Sequence, residues 1–182
     1  NDANGDDAGH VRIYEYTNSS WIQLGQDIDG ENIYDRSGIS ISLSSNGYTL
    51  AIGATENDGN GADAGHVRVY NWSGTSWIKI GQDIDGEAPG DYSGRSVSLS
   101  SDGNTVAVGA HGNDGAGADA GHVRIYNYNG SFWIQIGQDI DGELSNDNSG
   151  ASISISNNGN TVAIGAINND GNGAYSGHVR IY

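Results

Sequence analysis

The sequence has no cysteine and no methionine among its 182 residues. Without thiols the chain can form neither disulfide bonds nor thiolate metal sites. Because an initiator methionine is missing, we expect a processed chain or a piece of a longer polypeptide. No apolar run is long enough to span a membrane, and the N-terminus carries no secretory signal.

Basic residues are scarce. Seven lysines and arginines stand against 23 aspartates and glutamates, which gives a formal net charge of −16. So acidic a surface repels the phosphates of nucleic acid, and nucleic acid is therefore excluded as a partner. The charge suits an extracellular protein in salty or calcium-containing water, where cations screen the carboxylates.

Proline is nearly absent, with one residue, whereas glycine occurs 30 times. This composition indicates many turns between short apolar segments. The apolar residues are regularly placed, which argues against disorder. No stretch shows helical periodicity, because glycine and β-branched residues recur too often. We therefore predict an all-β protein.

The chain repeats itself every 56 residues. "GQDIDGE" occurs at Gly25–Glu31, Gly81–Glu87 and Gly137–Glu143, and "GHVRIY" or "GHVRVY" keeps the same step. A motif that is rebuilt at a fixed period shows that the repeat is the structural unit. We interpret residues 1–182 as a single array of about three repeats, with no linker inside it.

Each period is predicted to supply four short antiparallel strands. Strand C (His66–Trp72) and strand D (Trp77–Ile84) alternate in side-chain type, as does strand A (Ser96–Ser100). Strand B (Thr105–Ala110) is apolar on both faces, as a buried central strand should be. A four-stranded sheet of this size is the unit of a β-propeller blade, and the small serines of strand A suit its crowded inner position.

The array begins and ends inside a blade. We divide it into a partial blade at 1–37 (strands C and D), blades at 38–93 and 94–149, and a partial blade at 150–182 (strands A, B and C). Three blades are too few for a closed propeller, which has about four to eight. Both ends would expose unpaired strand edges. We therefore expect head-to-tail self-association into a ring or a filament, unless a longer parent chain supplies the missing strands.

Several segments resemble a known family. The carriers are "SVSLS", the Gly109–Ala110 pair, the "NDGAGADAG" loop and "WIQIG". They are similar to the FG-GAP repeats of bacterial and algal extracellular proteins, relatives of the integrin α-subunit propeller. The resemblance implies a propeller fold and an extracellular structural or adhesive role. The Phe-Gly that names the family is Ser-Gly here, and a tight turn replaces its calcium loop between strands A and B, so that calcium site is not carried over.

The acidic residues are predicted to gather at one edge of the sheets, because the B–C and D–A loops of an up-and-down sheet emerge at the same end. Asp-x-Asp-Gly-Glu with a further Asp offers the hard oxygen ligands that Ca²⁺ prefers. The alternative is that Asp-Gly and Asn-Gly simply make turns. Tyr175 replaces the aspartate of the third B–C loop, so the D–A loop is the better candidate. The candidate ligands are Asp27, Asp29, Glu31, Asp35, Asp83, Asp85, Glu87, Asp91, Asp139, Asp141, Glu143, Asp147, Asp58, Asp63, Asp114 and Asp119.

Catalysis is not indicated. The segment 94–98 resembles a nucleophile elbow, but its final glycine is absent and its serine lies inside a strand. His66 alternates with core valines, and His111 is not repeated, since Thr55 and Ile167 occupy the matching positions. We therefore expect no enzyme.

Two further interpretations stay open beside a calcium-stabilised structural or adhesive protein. The aromatic face of strands C and D would suit a lectin-like module that binds cell-surface glycans. The chain would otherwise be an inactive fragment of a larger cell-surface protein. Each C–D connection also carries an Asn-x-Ser sequon, at Asn18, Asn71 and Asn129, which predicts exposed asparagines and a glycoprotein if the source glycosylates.

Overall fold

The computed structural model describes residues 4–182. These residues form seventeen β-strands. No helix occurs in this part of the chain, so it offers no helical membrane span. The predicted all-β class is confirmed.

The N-terminal unit contains two small antiparallel sheets. β1 (His10–Val11) pairs with β4 (Ile28–Asp29), and β2 (Tyr14–Thr17) pairs with β3 (Ser20–Gln23). Together they form a hairpin that corresponds to the predicted strands C and D, each interrupted once.

The next sheet has five strands. They are β5 (Ser40–Leu43), β6 (Thr49–Ala54), β7 (His66–Trp72), β8 (Trp77–Lys79) and β9 (Ile84–Asp85). The order is β5-β6-β7-β8, and β9 also pairs with β7. Strand C has its predicted bounds. The prediction of one continuous strand D was wrong, because the chain turns at the positive-φ glycine in the middle of that segment.

The following sheet repeats this pattern. Its strands are β10 (Ser93–Leu99), β11 (Thr105–Ala110), β12 (His122–Tyr128), β13 (Trp133–Gln135) and β14 (Ile140–Asp141). Strand B has its predicted bounds, whereas strand A begins three residues before its predicted start. The pairing of β10 with β11 shifts its register between Ser93 and Ser96, and Ser93 therefore also pairs with β11.

The C-terminal sheet has three strands in the order β15-β16-β17: β15 (Ser149–Ile155), β16 (Val162–Ala166) and β17 (His178–Ile181). They correspond to strands A, B and C. The sheets are thus propeller-like blades, and the division of the array at residues 37, 93 and 149 remains our interpretation of the repeat.

Strands A of successive blades lie side by side. The Ser40 hydroxyl donates to the Gly94 carbonyl oxygen at 2.7 Å, and the Leu99 N–H donates to Ser42 Oγ at 2.9 Å. Both bonds recur one repeat later, from Ser96 to Gly150 and from Ile155 to Ser98. Small hydroxyl side chains are needed there because the backbones approach closely, which supports the inner position predicted for strand A.

The apolar core lies between blades. Val67 and Val69 of one sheet pack with Val97 and Leu99 of the next, and similar clusters join the other neighbouring sheets. The face of a blade that points toward the next repeat is therefore buried only when another blade follows. This arrangement is typical of repeat proteins, whose stability comes from nearest-neighbour contacts.

Val123 and Val179 occupy matching positions in strand C but differ in burial. Val123 is 0% exposed and Val179 is 68% exposed. We expect Val123→Ala to lower the free energy of unfolding by about 1–3 kcal/mol, since it leaves a cavity, and Val179→Ala to change it by less than about 0.5 kcal/mol. Urea unfolding of the dilute monomer measures both. Equal losses would contradict a core that lies between blades.

Candidate functional site

The B–C and D–A loops meet, as predicted. Asn113 Nδ2 donates to Asp91 Oδ2 at 3.2 Å, and the same oxygen accepts the backbone N–H of Glu87 and of Ala88. Asp91 is buried, as are its equivalents Asp35 and Asp147. These predicted ligands therefore have protein partners and fasten one repeat's D–A loop to the next repeat's B–C loop.

A second set of predicted ligands is paired with arginine. Arg124 contacts Asp139 through two N–H groups, Nε at 3.0 Å and Nη2 at 2.8 Å. The hydrogen bond from Arg124 holds the pKa of Asp139 below its usual range. Arg12 contacts Asp27 through the same two nitrogens, whereas Arg68 contacts Asp83 through Nη2 alone, at 3.0 Å.

The glutamate of each "GQDIDGE" motif reaches the following repeat. Glu31 contacts Arg68 and Glu87 contacts Arg124 across the blade interface. Both arginine side chains are largely buried. Each of these arginines therefore holds one carboxylate from its own blade and one from the preceding blade, in a charge-assisted network.

The glutamine of the motif is a functional residue that the sequence analysis missed. Gln82 Nε2 donates to the Trp133 carbonyl oxygen at 2.7 Å, and its Oε1 accepts the Trp133 N–H at 3.1 Å. Gln26 forms the same two hydrogen bonds with the backbone of Trp77. Its presence in all three motif copies was the available signal.

The tryptophan that begins the second half of each hairpin completes the contact. Trp77 Nε1 donates to the Leu24 carbonyl oxygen at 2.8 Å, and Trp133 Nε1 donates to that of Ile80 at 3.1 Å. The indole lies over the glycine of the preceding motif, since a Cβ at Gly81 would stand 2.6 Å from Trp133 Cδ1. "GQDIDGE" is therefore a connector between blades.

A histidine lies beside each network. A ring nitrogen of His122 and carboxylate oxygens of Glu87 and Asp139 lie within 4.8 Å of one another, a grouping that could hold a metal ion. Arg124 already contacts both carboxylates, so a cation there would have to displace its guanidinium. We therefore interpret the group as an ion-pair network in which the guanidinium takes the place of a metal ion.

The remaining predicted ligands lie at the same edge. The Asp58 carboxylate accepts the Asp63 N–H at 2.9 Å, and Asp114 accepts that of Asp119 at the same distance. These bonds fit the turn interpretation of the B–C loops. Asp29, Asp85 and Asp141 lie within the second strand of the split D segment. Calcium binding by any of these residues stays a prediction.

The three sequon asparagines Asn18, Asn71 and Asn129 are exposed, as predicted. Asn129 Oδ1 accepts the backbone N–H of Ser131 and of Phe132, which shapes the C–D turn. Their glycosylation stays a prediction.

Within residues 4–182, the first and last sheets each expose one half of this interface. Trp21 is 69% exposed, whereas its equivalents Trp77 and Trp133 are 4% and 3% exposed. At the other end a cleft of about 340 Å³ lies where the next tryptophan would sit. It is lined by Ile125, Ile136, Gly137, Ile140, Ile155, Val162 and Tyr182, among others.

Comparisons with known proteins agree with a repeat fold. Residues 84–126 match the FG-GAP repeat family, which confirms the resemblance predicted from the sequence. None of the curated proteins matches the chain.

One of the solved structures adds a likeness of fold. A putative 6-phosphogluconolactonase from Bacteroides uniformis ATCC 8492 is similar with a TM-score of 0.61 and 12% identity, over 96% of this chain and 44% of that one. The chain thus spans less than half the length of this neighbour. The hydrazine synthase of Kuenenia stuttgartiensis aligns over 70% of this chain and 28% of its own, with a TM-score of 0.41 and 16% identity.

The buried histidines predict a pH dependence. Burial lowers the pKa of His66 and of His122, so the unfolded chain takes up protons near pH 6.5 while the folded chain does not. A group whose pKa is lowered by folding stabilises the fold above the unfolded pKa, and this contribution is lost as pH falls. We expect the free energy of unfolding to decrease from pH 7.5 to pH 5.5 in urea titrations, and His122→Gln to flatten the decrease. Identical slopes for both proteins would contradict this role.

Proposed function

We propose that the protein is an extracellular structural or adhesive module of propeller-like repeats that joins other copies of itself head to tail. The observation that carries the proposal is the exposed Trp21 at one end and the open cleft at the other. Inside the chain the same two features are always joined, by Trp77 on the first motif and by Trp133 on the second.

The tail offers the glycine, the glutamine and the carbonyl oxygen that hold each internal tryptophan. A Cβ built on Gly137 meets nothing within 4 Å, in contrast to Gly25 and Gly81, which lie beneath an indole. Gln138 is exposed, and its side chain forms no hydrogen bond with any residue of 4–182. The carbonyl of Ile136 stands where Leu24 and Ile80 accept an indole N–H.

The head exposes the complementary apolar surface. Ile41 is 53% exposed, whereas Val97 at the matching position is 8% exposed. Leu43 is likewise exposed, and its equivalent Leu99 is buried. Unpartnered apolar faces of this kind mark interaction sites, and their match to the buried interfaces favours a second copy as the partner.

A structural role is also favoured over catalysis or glycan binding. Trp72 and Trp77 of one sheet, whose ring centroids are 5.5 Å apart, pack against a cluster that includes apolar residues of the preceding unit such as Val11. Arg124, Glu87 and Asp139 are engaged in the inter-blade network. An extracellular location is supported by the FG-GAP match and by the acidic composition.

Self-association is expected at micromolar concentration. Trp21→Ala should weaken it at least about tenfold, because a buried tryptophan anchor contributes about 2 kcal/mol or more to an interface. Monomer stability should change little, since Trp21 is exposed. Phe132→Ala is the matched control, because Phe132 is also an exposed aromatic residue at a C–D turn but is not among the residues that line the cleft.

Sedimentation velocity over a concentration series measures this association. The proposal would be overturned by a wild-type chain that stays a folded monomer throughout, or by Trp21→Ala and Phe132→Ala chains that associate equally well.

We also propose that Ca²⁺ binds at the acidic edge and stabilises the fold. The proposal is supported by aspartates there that have no arginine partner, such as Asp85, which faces the B–C loop at Gly59. A cation bound only to the folded state raises the melting temperature. We expect a higher melting temperature in millimolar Ca²⁺ than in EDTA, and a smaller difference for Asp85→Asn. Identical melting curves in Ca²⁺ and EDTA would refute calcium binding.

A further inference from the structure

We infer that the joint between two copies is a strand exchange, an inference that rests on the proposed self-association. In the joint, the N-terminal hairpin (residues 10–29) of a second copy displaces β17 from the C-terminal sheet and pairs with β16. The composite blade then takes strands A and B from one copy and strands C and D from the other.

The two competing segments carry the same sequence. Each contains the segment "GHVRIY", which begins at Gly9 in the hairpin and at Gly177 before β17. In the C-terminal sheet Ala163 is opposite Ile181, and in the preceding sheet Ala107 is opposite Ile125 in the same register. Ile13 of the incoming hairpin would take the place of Ile181. The exchange therefore preserves the strand pairing and its side chains.

Burial decides which of the two segments is released. In the hairpin, Val11 and Ile13 are buried against Leu50 and Ile52 of the next sheet. The matching Val179 and Ile181 of β17 are 68% and 73% exposed. Releasing β17 exposes little additional apolar surface, whereas releasing the hairpin strand would open a core. The C-terminal strand is thus the one that leaves.

Only the hairpin fills the cleft. β17 supplies strand C but no strand D, so the position beside Gly137 has no indole. The incoming hairpin carries β3 with it and places Trp21 over Gly137, at the position that Trp133 takes over Gly81. Its indole N–H then meets the Ile136 carbonyl, and Gln138 meets the Trp21 backbone. These contacts exist in the exchanged state alone and favour it.

The charges also favour the exchange. Arg124 contacts two carboxylates, Glu87 and Asp139. Among the carboxylates of residues 4–182, Arg12 forms an ion pair with Asp27 alone, and Arg180 forms one with Glu143 alone. When Arg12 replaces Arg180, it holds Glu143 of one copy and Asp27 of its own. The joint thereby completes the two-carboxylate network of the internal blades.

A removable lock on β17 tests the exchange. Ala163 and Ile181 form a non-hydrogen-bonded antiparallel pair, since Val162 and Tyr182 beside them exchange both backbone hydrogen bonds. Cα atoms of such pairs lie about 4.5 Å apart, within the range of a disulfide. The chain has no native cysteine, so Ala163→Cys with Ile181→Cys forms a single defined bond. Thiol titration confirms complete oxidation before measurement.

Locked and reduced proteins are compared by sedimentation velocity. We expect the oxidised variant to remain monomeric at concentrations at which the reduced variant associates. The matched control is Ala107→Cys with Ile125→Cys, which places the same bond inside a complete blade and should associate whether oxidised or reduced.

The outcomes separate the two proposals. An oxidised lock that associates as well as its reduced form would overturn the exchange and leave self-association standing. Reduced lock and control chains that both stay monomeric would overturn self-association itself.

Discussion

The array depends on one contact, the indole of a strand-D tryptophan placed over a glycine of the preceding blade. The indole N–H of Trp77 donates to a backbone carbonyl oxygen, while the adjacent glutamine of the motif holds both polar groups of the tryptophan backbone. Gly25 must be glycine for two reasons: its φ of +81° is in the left-handed region, and a Cβ there would overlap an aromatic ring. Successive blades are therefore held in one repeated relation.

The other inter-blade contacts reinforce this relation from different directions. At the inner strands, serine hydroxyls bond to the backbone of the next blade. At the acidic edge, Arg68 and Arg124 of strand C each join carboxylates of two blades, and buried aspartates fasten the loops. Since these contacts link neighbouring blades, the matching groups in the first and last sheets of residues 4–182, such as Trp21 and Val179, are exposed. The self-association that we propose would use the same contacts that stabilise the interior of the array.

The period of 56 residues predicted the blades. The predicted bounds of strands B and C agree with the structure, because the apolar pattern of each strand is set by residues that are adjacent in the sequence. Strand D was predicted as continuous, because the backbone angle at Gly81 cannot be read from side-chain alternation. The acidic edge was also predicted correctly. The partner of each acid was not, because Glu31 pairs with Arg68 in the following repeat, and a pattern within one repeat contains no information on that contact.

The most direct measurement follows the tryptophan indole N–H signals of the ¹⁵N-labelled chain by NMR hydrogen exchange as protein concentration is raised. Trp77 and Trp133 donate their indole protons to carbonyls inside the chain and should be protected at every concentration. We predict that the indole N–H of Trp21 exchanges rapidly in the dilute monomer and becomes protected as the chain assembles. A Trp21 indole that stays freely exchanging in the assembled protein would contradict the claim that copies join through the interface found between blades.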